Sequence, residues 1–254
     1  MQADVAVLSR RDRLRASTTR EIIQIARRLL VEQGGAAISL RAIAREMGMT
    51  APALYRYFAS HEELIQHVIA DIFTELADYT EEAVTAAGSP ATAGHAGPAA
   101  ATEPTSTSLL AASKAFRSWA IAHPAEFGLL FGTPLPGVEM LHDDPLIECG
   151  MRFGRIFLRL FDDLWRIRPF VIQADDEIDP LLRSQLARYR DVIGTDLPLG
   201  VLQTFLRCWA LLYGTVSLEV FGHLKFALDD SEPMFELVLN DLAAMIGLEY
   251  PSPE

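Results

Sequence analysis

The stretch 39–58, SLRAIAREMGMTAPALYRYF, restricts the fold more than any other part of the chain, because it sets two short helical patterns around a three-residue break. Leu40, Ile43, Ala44 and Met47 recur at i, i+3, i+4 and i+7, the stripe of a helix that buries one face. Ser39 stands where its side chain can cap that helix, and Gly48 supplies the left-handed conformation at which the helix must stop. Thr50 then sits as an N-cap for a second helix. Pro52 falls in a first turn whose amides have no intrahelical acceptor, so its missing N–H costs little. Leu54 and Phe58, four residues apart, anchor this second helix to its neighbours. Two helices joined in this way are the sequence form of a helix-turn-helix.

The second helix opens on small side chains, Ala51 and Ala53, which let its leading end approach a flat or grooved surface. It closes on Tyr55, Arg56 and Tyr57, whose hydroxyls and guanidinium suit phosphate oxygens. The charge distribution points the same way. The chain of 254 residues carries a net charge of -12. Residues 1–60 nevertheless hold ten Arg against five Asp and Glu, and the remainder twelve Lys and Arg against twenty-nine acidic residues. A basic module on an acidic body implies that only the N-terminal end meets a polyanion, while the rest repels it. The opening MQADVAVLSRRDRLRAS lacks the apolar stretch and cleavage site of a signal peptide. It reads as a basic flexible arm over residues 1–17, in which Arg10, Arg11, Arg13 and Arg15 either approach phosphates or a minor groove or form a solvated tail.

A helix-turn-helix alone buries too little to stand, so a third wall is required. A helix opening at Thr18 or Thr19, with Ile22, Ile25, Ala26, Leu29 and Leu30 on one face and Gly34-Gly35 at its end, supplies it. Ser60 and Glu63 form a capping box ahead of a long periodic run through Leu64, Val68, Ile72, Phe73 and Leu76 to about residue 86. At 1.5 Å per residue that helix is roughly 40 Å long, enough to reach a second domain and join the two mechanically. Residues 88–108 abandon periodicity for Ala, Gly, Pro and Thr and read as a flexible loop. Helical patterns resume over 109–123, 124–131, 147–165, 178–193, 201–221 and 233–246. The fold class is therefore all-α: a three-helix module at 18–65 followed by a larger helical domain at 66–248.

Within that larger domain Phe116, Trp119, Phe127, Phe131, Phe157, Trp165, Trp209 and Tyr213 offer aromatic walls for a small-molecule cavity, and any of them serves equally as plain core. The run 201–221 is apolar around most of its circumference, yet Gln203, Arg207 and Glu219 argue against a lipid-spanning helix. With the final helix it forms either a dimerisation surface or monomer core. Cys149 and Cys208 are expected as reduced packing residues of a cytoplasmic protein. The six histidines have no metal-ligand spacing, and no glycine-rich phosphate loop or nucleophile elbow accompanies the acids. Neither enzymatic activity, metal nor cofactor is expected.

Residues 18–65 resemble the DNA-binding module of the TetR family of bacterial transcriptional regulators. The likeness rests on AxxLLxxxG at 26–34 and on SLRAIAREMGMTAPALYRYFASHEEL at 39–64. The C-terminal part resembles the subgroup whose effector domain is named for a Trp-His-Gly signature, through FRSWAIAHPAEFGLLFGTPLPG at 116–137 and CWALLYGTVSLEVFGH at 208–223. The resemblance implies a homodimer on a double-stranded operator with two-fold related half-sites, acting as a repressor released by a small apolar or aromatic effector. On that reading Thr50, Ala51, Pro52 and Ala53 face the bases and Tyr55, Tyr57 and His61 the phosphates. Arg45 contacts backbone or base, with Arg41 and Arg56 as further contributors. Two positions depart from the family pattern. Tyr213 stands where the signature has His, and His61 where the module usually has Lys, so a fixed positive charge becomes one that strengthens only as pH falls. The rival reading is a helical dimeric module in which residues 39–58 recognise another protein.

Overall fold

The computed structural model describes residues 9–88, 102–132 and 145–250, and every regular element among them is helical. In chain order these are α1 (Arg10–Gln33), a single 3-10 turn (Gly35–Ala37), α2 (Leu40–Glu46), α3 (Ala51–Leu54) and α4 (His61–Ala87). They are followed by α5 (Thr102–Ala122), α6 (Pro124–Phe131), α7 (Pro145–Ile167), α8 (Pro180–Ile193), α9 (Leu199–Val220) and α10 (Glu232–Met245). The chain divides into two compact units, Met1–Glu75 with His123–Met151, and Leu76–Ala122 with Arg152–Glu254. Helices α4 and α7 each contribute residues to both.

The first unit is built on the apolar face of α1. Ile22, Ala26, Leu29 and Leu30 are buried together with Ile38, Leu40, Ile43, Leu54, Phe58, Leu64 and Val68. Arg27 ties α1 to α4, with one guanidinium nitrogen 3.0 Å from Asp71 and 2.7 Å from Glu75. Burial opposes the charge of Arg27, but the Glu75 and Asp71 hydrogen bonds outweigh it and raise its pKa. Helix α6 belongs to this unit as well: Phe127 lies 5.0 Å from Phe131, whose ring meets the Phe73 ring edge-on at 5.7 Å.

Three boundaries differ from the sequence expectation. Helix α1 begins at Arg10, not at Thr18 or Thr19, because the Ser9 hydroxyl accepts the Asp12 amide and starts the helix a full two turns earlier. What the sequence offers as a flexible arm is thus helical from Arg10, and residues 1–8 lie outside the described residues. Likewise α5 starts at Thr102, so residues 102–108 extend a helix instead of a loop, with Pro104 in the first turn where a missing N–H is harmless. The remaining loop expectation, over 89–101, falls outside the described residues. Helix α3 is regular only to Leu54 and then tightens, the Tyr57 amide reaching the Leu54 carbonyl at 2.9 Å and Arg56 that of Ala53 at 3.4 Å.

The second unit is organised around α9, whose Val201, Leu202, Phe205, Cys208, Leu212 and Val216 are buried among α5, α8 and α10. By length and composition α9 is apolar enough to cross a bilayer, but half of that window is buried within the unit. Arg117 on α5 grips Glu219 on α9 through two nitrogens at 2.8 and 2.7 Å, and those hydrogen bonds raise its pKa against the opposing effect of burial. Arg152 on α7 bonds Asp78 at 2.6 Å and Glu81 at 2.8 Å on α4.

Candidate nucleic-acid interface

The helix-turn-helix is closed by local hydrogen bonds that its sequence dictates. The Ser39 hydroxyl accepts the Ala42 amide at 3.2 Å and caps α2. At the other end Gly48 adopts φ +63°, and the Met49 amide turns back to the Ala44 carbonyl at 2.8 Å, satisfying a carbonyl that α2 would otherwise leave unpaired. Thr50 is the N-cap residue of α3, but its hydroxyl makes no capping bond and stays exposed. Next to it Pro52 is exposed and Ala51 and Ala53 are half-exposed, so the leading end of α3 is a low ridge of methyl groups, a proline ring and one hydroxyl. Leu54 and Phe58, both essentially inaccessible, hold that ridge against the core.

Around the ridge lie basic and phenolic side chains. Arg41, Arg45, Tyr55 and Arg56 are exposed, and no ion pair among the described residues engages any of the three guanidinium groups. The neighbouring Arg28 is instead paired with Glu46. Tyr57 is half-buried under Arg15, whose guanidinium lies 5.7 Å from the ring centre and donates to the Arg56 carbonyl at 3.1 Å. Arg10, Arg11, Leu14, Arg15 and Thr18 line one shallow groove with Arg56 and Tyr57. The helical extension of α1 therefore brings three arginines to the end of α3. The signal for it was present in the sequence as Ser9 followed three residues later by Asp12, a cap pattern outweighed by the density of arginine.

His61 is placed differently from a free phosphate ligand. Its Nε2 donates to the Ile38 carbonyl at 2.8 Å, so one ring nitrogen is committed to joining the start of α4 to the turn before α2. Behind it the Ser60 hydroxyl accepts the Glu63 amide at 3.1 Å, and the Glu63 carboxylate accepts the Ala59 amide at 2.5 Å. The entry to α4 is thereby fixed from both sides.

The aromatic residues expected around a ligand do not form one site. Phe127 and Phe131 lie in the first unit. Phe116 and Trp119 are inaccessible core of the second, and Trp165 packs edge-on to Phe170 at 5.2 Å. Phe157 and Trp209 do meet a cavity, which they share with Phe161, Phe205, Cys208 and Leu212, with the aliphatic face Leu239, Leu242 and Ala243 of α10, and with Ile246 that caps it. Tyr213 stacks on Trp209 at 5.8 Å with the rings 16° apart. The cavity holds about 40 Å³ and no charged group lines it. Its thiol is protonated at neutral pH, since burial pushes Cys208 up to about 12. Sequence reasoning weighted aromatic rings and so missed the aliphatics of the last helix, whose spacing pointed to a dimerisation surface or monomer core.

Residues 22–68 match the family described as bacterial regulatory proteins, tetR family, and residues 109–242 match the tetracyclin repressor-like, C-terminal domain, more than half of the chain. The chain belongs to the TetR family. The HTH-type transcriptional regulators Rv1816 of Mycobacterium tuberculosis and Mb1846 of Mycobacterium bovis are each 32% identical to it over 206 residues, 80% of either chain. The solved regulatory protein SCO4313 is similar at 29% identity with a TM-score of 0.70, over 93% of this chain and 100% of that one. A protein of unknown function from Rhodococcus sp. RHA1, 20% identical with a TM-score of 0.57 over 98% and 100%, shares the fold. As a TetR-family member the protein is a sequence-specific DNA-binding regulator of transcription and not an enzyme, acting on double-stranded operator DNA as a homodimer. The protein-interaction rival finds no support in these matches.

Proposed function

We infer that this regulator is a repressor whose operator affinity falls when a neutral apolar molecule occupies the cavity of the second unit. The observation that carries the reading is the cavity itself: a site walled by α5, α7, α9 and α10 without a charged group, in a chain whose other unit carries the helix-turn-helix. Each protomer lays α3 in a major groove with Thr50, Ala51, Pro52 and Ala53 toward the bases. So few long polar side chains at that end make methyl contacts and groove shape the main source of selectivity. Tyr55 and Tyr57 hold the phosphates, Arg45 contacts backbone or base with Arg41 and Arg56 as further contributors, and His61 orients the module through Ile38 while presenting its other ring nitrogen. The two protomers meet through the exposed apolar residues Leu206 and Leu218 of α9, Phe221 at its C-terminal end, and Met234 of α10.

Helix α4 begins in the first unit and ends in the second, so it is the element through which cavity and recognition helix are coupled. Occupancy alone releases nothing. The effector must bind the DNA-free arrangement more tightly than the DNA-bound one, and their ratio sets the loss of operator affinity. Selection of bound sequences from random duplexes, followed by footprinting and a displacement screen with apolar compounds, tests the reading. Two protected half-sites and release by a neutral apolar compound are expected. Protection that persists with every compound that fills the cavity overturns the ligand-release half.

A further inference from the structure

A cavity of about 40 Å³ is roughly a tenth of what ligand sites usually enclose, so an effector has to open it, and the structure shows where. Leu110 on α5 lines the cavity on one side and, on the other, a solvent-facing groove of about 960 Å³ bounded by Thr107, Lys114, Glu236, Asn240 and Tyr250. Leu110 is the lining residue that the two spaces share. The same opening is crossed by the end of the chain. After α10 the backbone turns at Gly247, φ +69°, where a side chain would be strained, and Leu248 drops into the cavity wall. Tyr250 then returns over the groove, where its hydroxyl donates to the Glu236 carboxylate. Lys114 completes the clasp, 3.0 Å from Glu236 and 5.7 Å from the centre of the Tyr250 ring. The clasp therefore joins α5, α10 and the tail, the three pieces of chain between groove and cavity. Burial works against the charge of Glu236, but its Tyr250 and Lys114 hydrogen bonds prevail and leave its pKa lowered, so the closed clasp is the ionised one.

We propose that the effector enters the apolar cavity between α5 and α10, past Leu110, and that the tail with Tyr250 held by Glu236 and Lys114 is the latch of that port. The inference rests on the cavity being the effector site. It adds a kinetic role for residues that touch no part of the cavity, because a latch closed before and after entry slows arrival and departure alike.

The test uses the full-length protein and the neutral fluorophore N-phenyl-1-naphthylamine, followed by stopped flow. Tyr250→Phe and Glu236→Gln each remove the hydrogen bond to a charged carboxylate, so association and dissociation rates rise about tenfold while Kd stays within about threefold. Leu110→Trp, which enlarges the partition, slows both. Ala243→Phe fills the cavity and abolishes binding. Energy transfer from tryptophan to bound probe falls in Trp209→Phe, which locates the probe even where Ala243→Phe does not fold. Rates in Tyr250→Phe and Glu236→Gln within about twofold of the parent, with the probe still located beside Trp209, overturn the port and leave the cavity reading intact. No binding to the parent, or transfer that Trp209→Phe does not reduce, overturns the cavity reading itself.

Discussion

Arginines that join helices in the two units contrast with those around α3. In the second unit Arg117 and Arg152 are spent on carboxylates of neighbouring helices, each through short hydrogen bonds that fix one element against another. In the first, Arg27 is spent in the same manner, but Arg41, Arg45 and Arg56 remain exposed around the leading end of α3. Arg117, Arg152 and Arg27 thus hold helices together, whereas the arginines around α3 face outward. The interiors differ too. The core behind α3 is closed around Leu54 and Phe58, whereas the core around α9 leaves a space among Phe205, Trp209 and Leu242. The surface that meets DNA is backed by tight packing, and the interior of the second unit keeps a small apolar space.

This contrast can be broken most forcefully at Leu54. Leu54→Ala removes an inaccessible side chain and should cost about 2–5 kcal/mol within the first unit. Operator binding by fluorescence anisotropy is lost while probe binding to the cavity survives; joint loss of both would mean that the units do not behave separately. The converse substitution is Leu242→Ala, which widens the cavity at a cost of about 2–3 kcal/mol. Thermal melting falls, probe affinity rises several-fold, and operator binding without probe is retained.

These two sites also mark what the sequence could and could not convey. The α2–α3 module was largely legible, because the Ser39 cap, the Gly48 stop and the spacing of Leu54 and Phe58 are local requirements that the backbone meets within a few positions, although the Thr50 hydroxyl makes no capping bond and α3 is regular only to Leu54. The cavity was not, because its walls come from four helices and the tail, and no short window records which apolar faces converge. Trp119 and Phe127 look like cavity walls in sequence for the same reason that they are core in structure: a large ring suits both. The early start of α1 was legible in principle from Ser9 and Asp12. A local cap of that kind is a small energy beside a run of arginines that favours a solvated tail, and tertiary docking of Arg15 on Arg56 and Tyr57 lies beyond any local pattern.

Smaller effects sharpen the comparison within the first unit. Arg41→Ala and Arg45→Ala should each cost about 1–3 kcal/mol where the side chain reads a base, for one sequence only, or weaken every duplex alike where it holds a phosphate. A panel of operator variants separates the outcomes. Arg15→Ala should lower the salt dependence of duplex binding by about one unit of slope if its charge acts on DNA. Arg15→Lys keeps that slope while losing the bond to the Arg56 carbonyl; an unchanged slope in Arg15→Ala confines the residue to bracing Tyr57.

The least effect is expected from acid. Glu236 faces Lys114, Tyr250 and Arg117, and its pKa in the folded protein lies below the ordinary 4.5. The stability it contributes is complete above that ordinary value and disappears as pH falls through the lower folded one. Probe entry should therefore quicken in acid in the parent protein and stay nearly flat in Tyr250→Phe, as read by stopped flow.

Cys208 gives the cavity one more property. A thiol walled in by Phe205, Trp209 and Leu212 and kept protonated at neutral pH offers neither a nucleophile to electrophiles nor a thiolate to peroxides. Within the cavity, recognition therefore rests on fit and not on thiol chemistry.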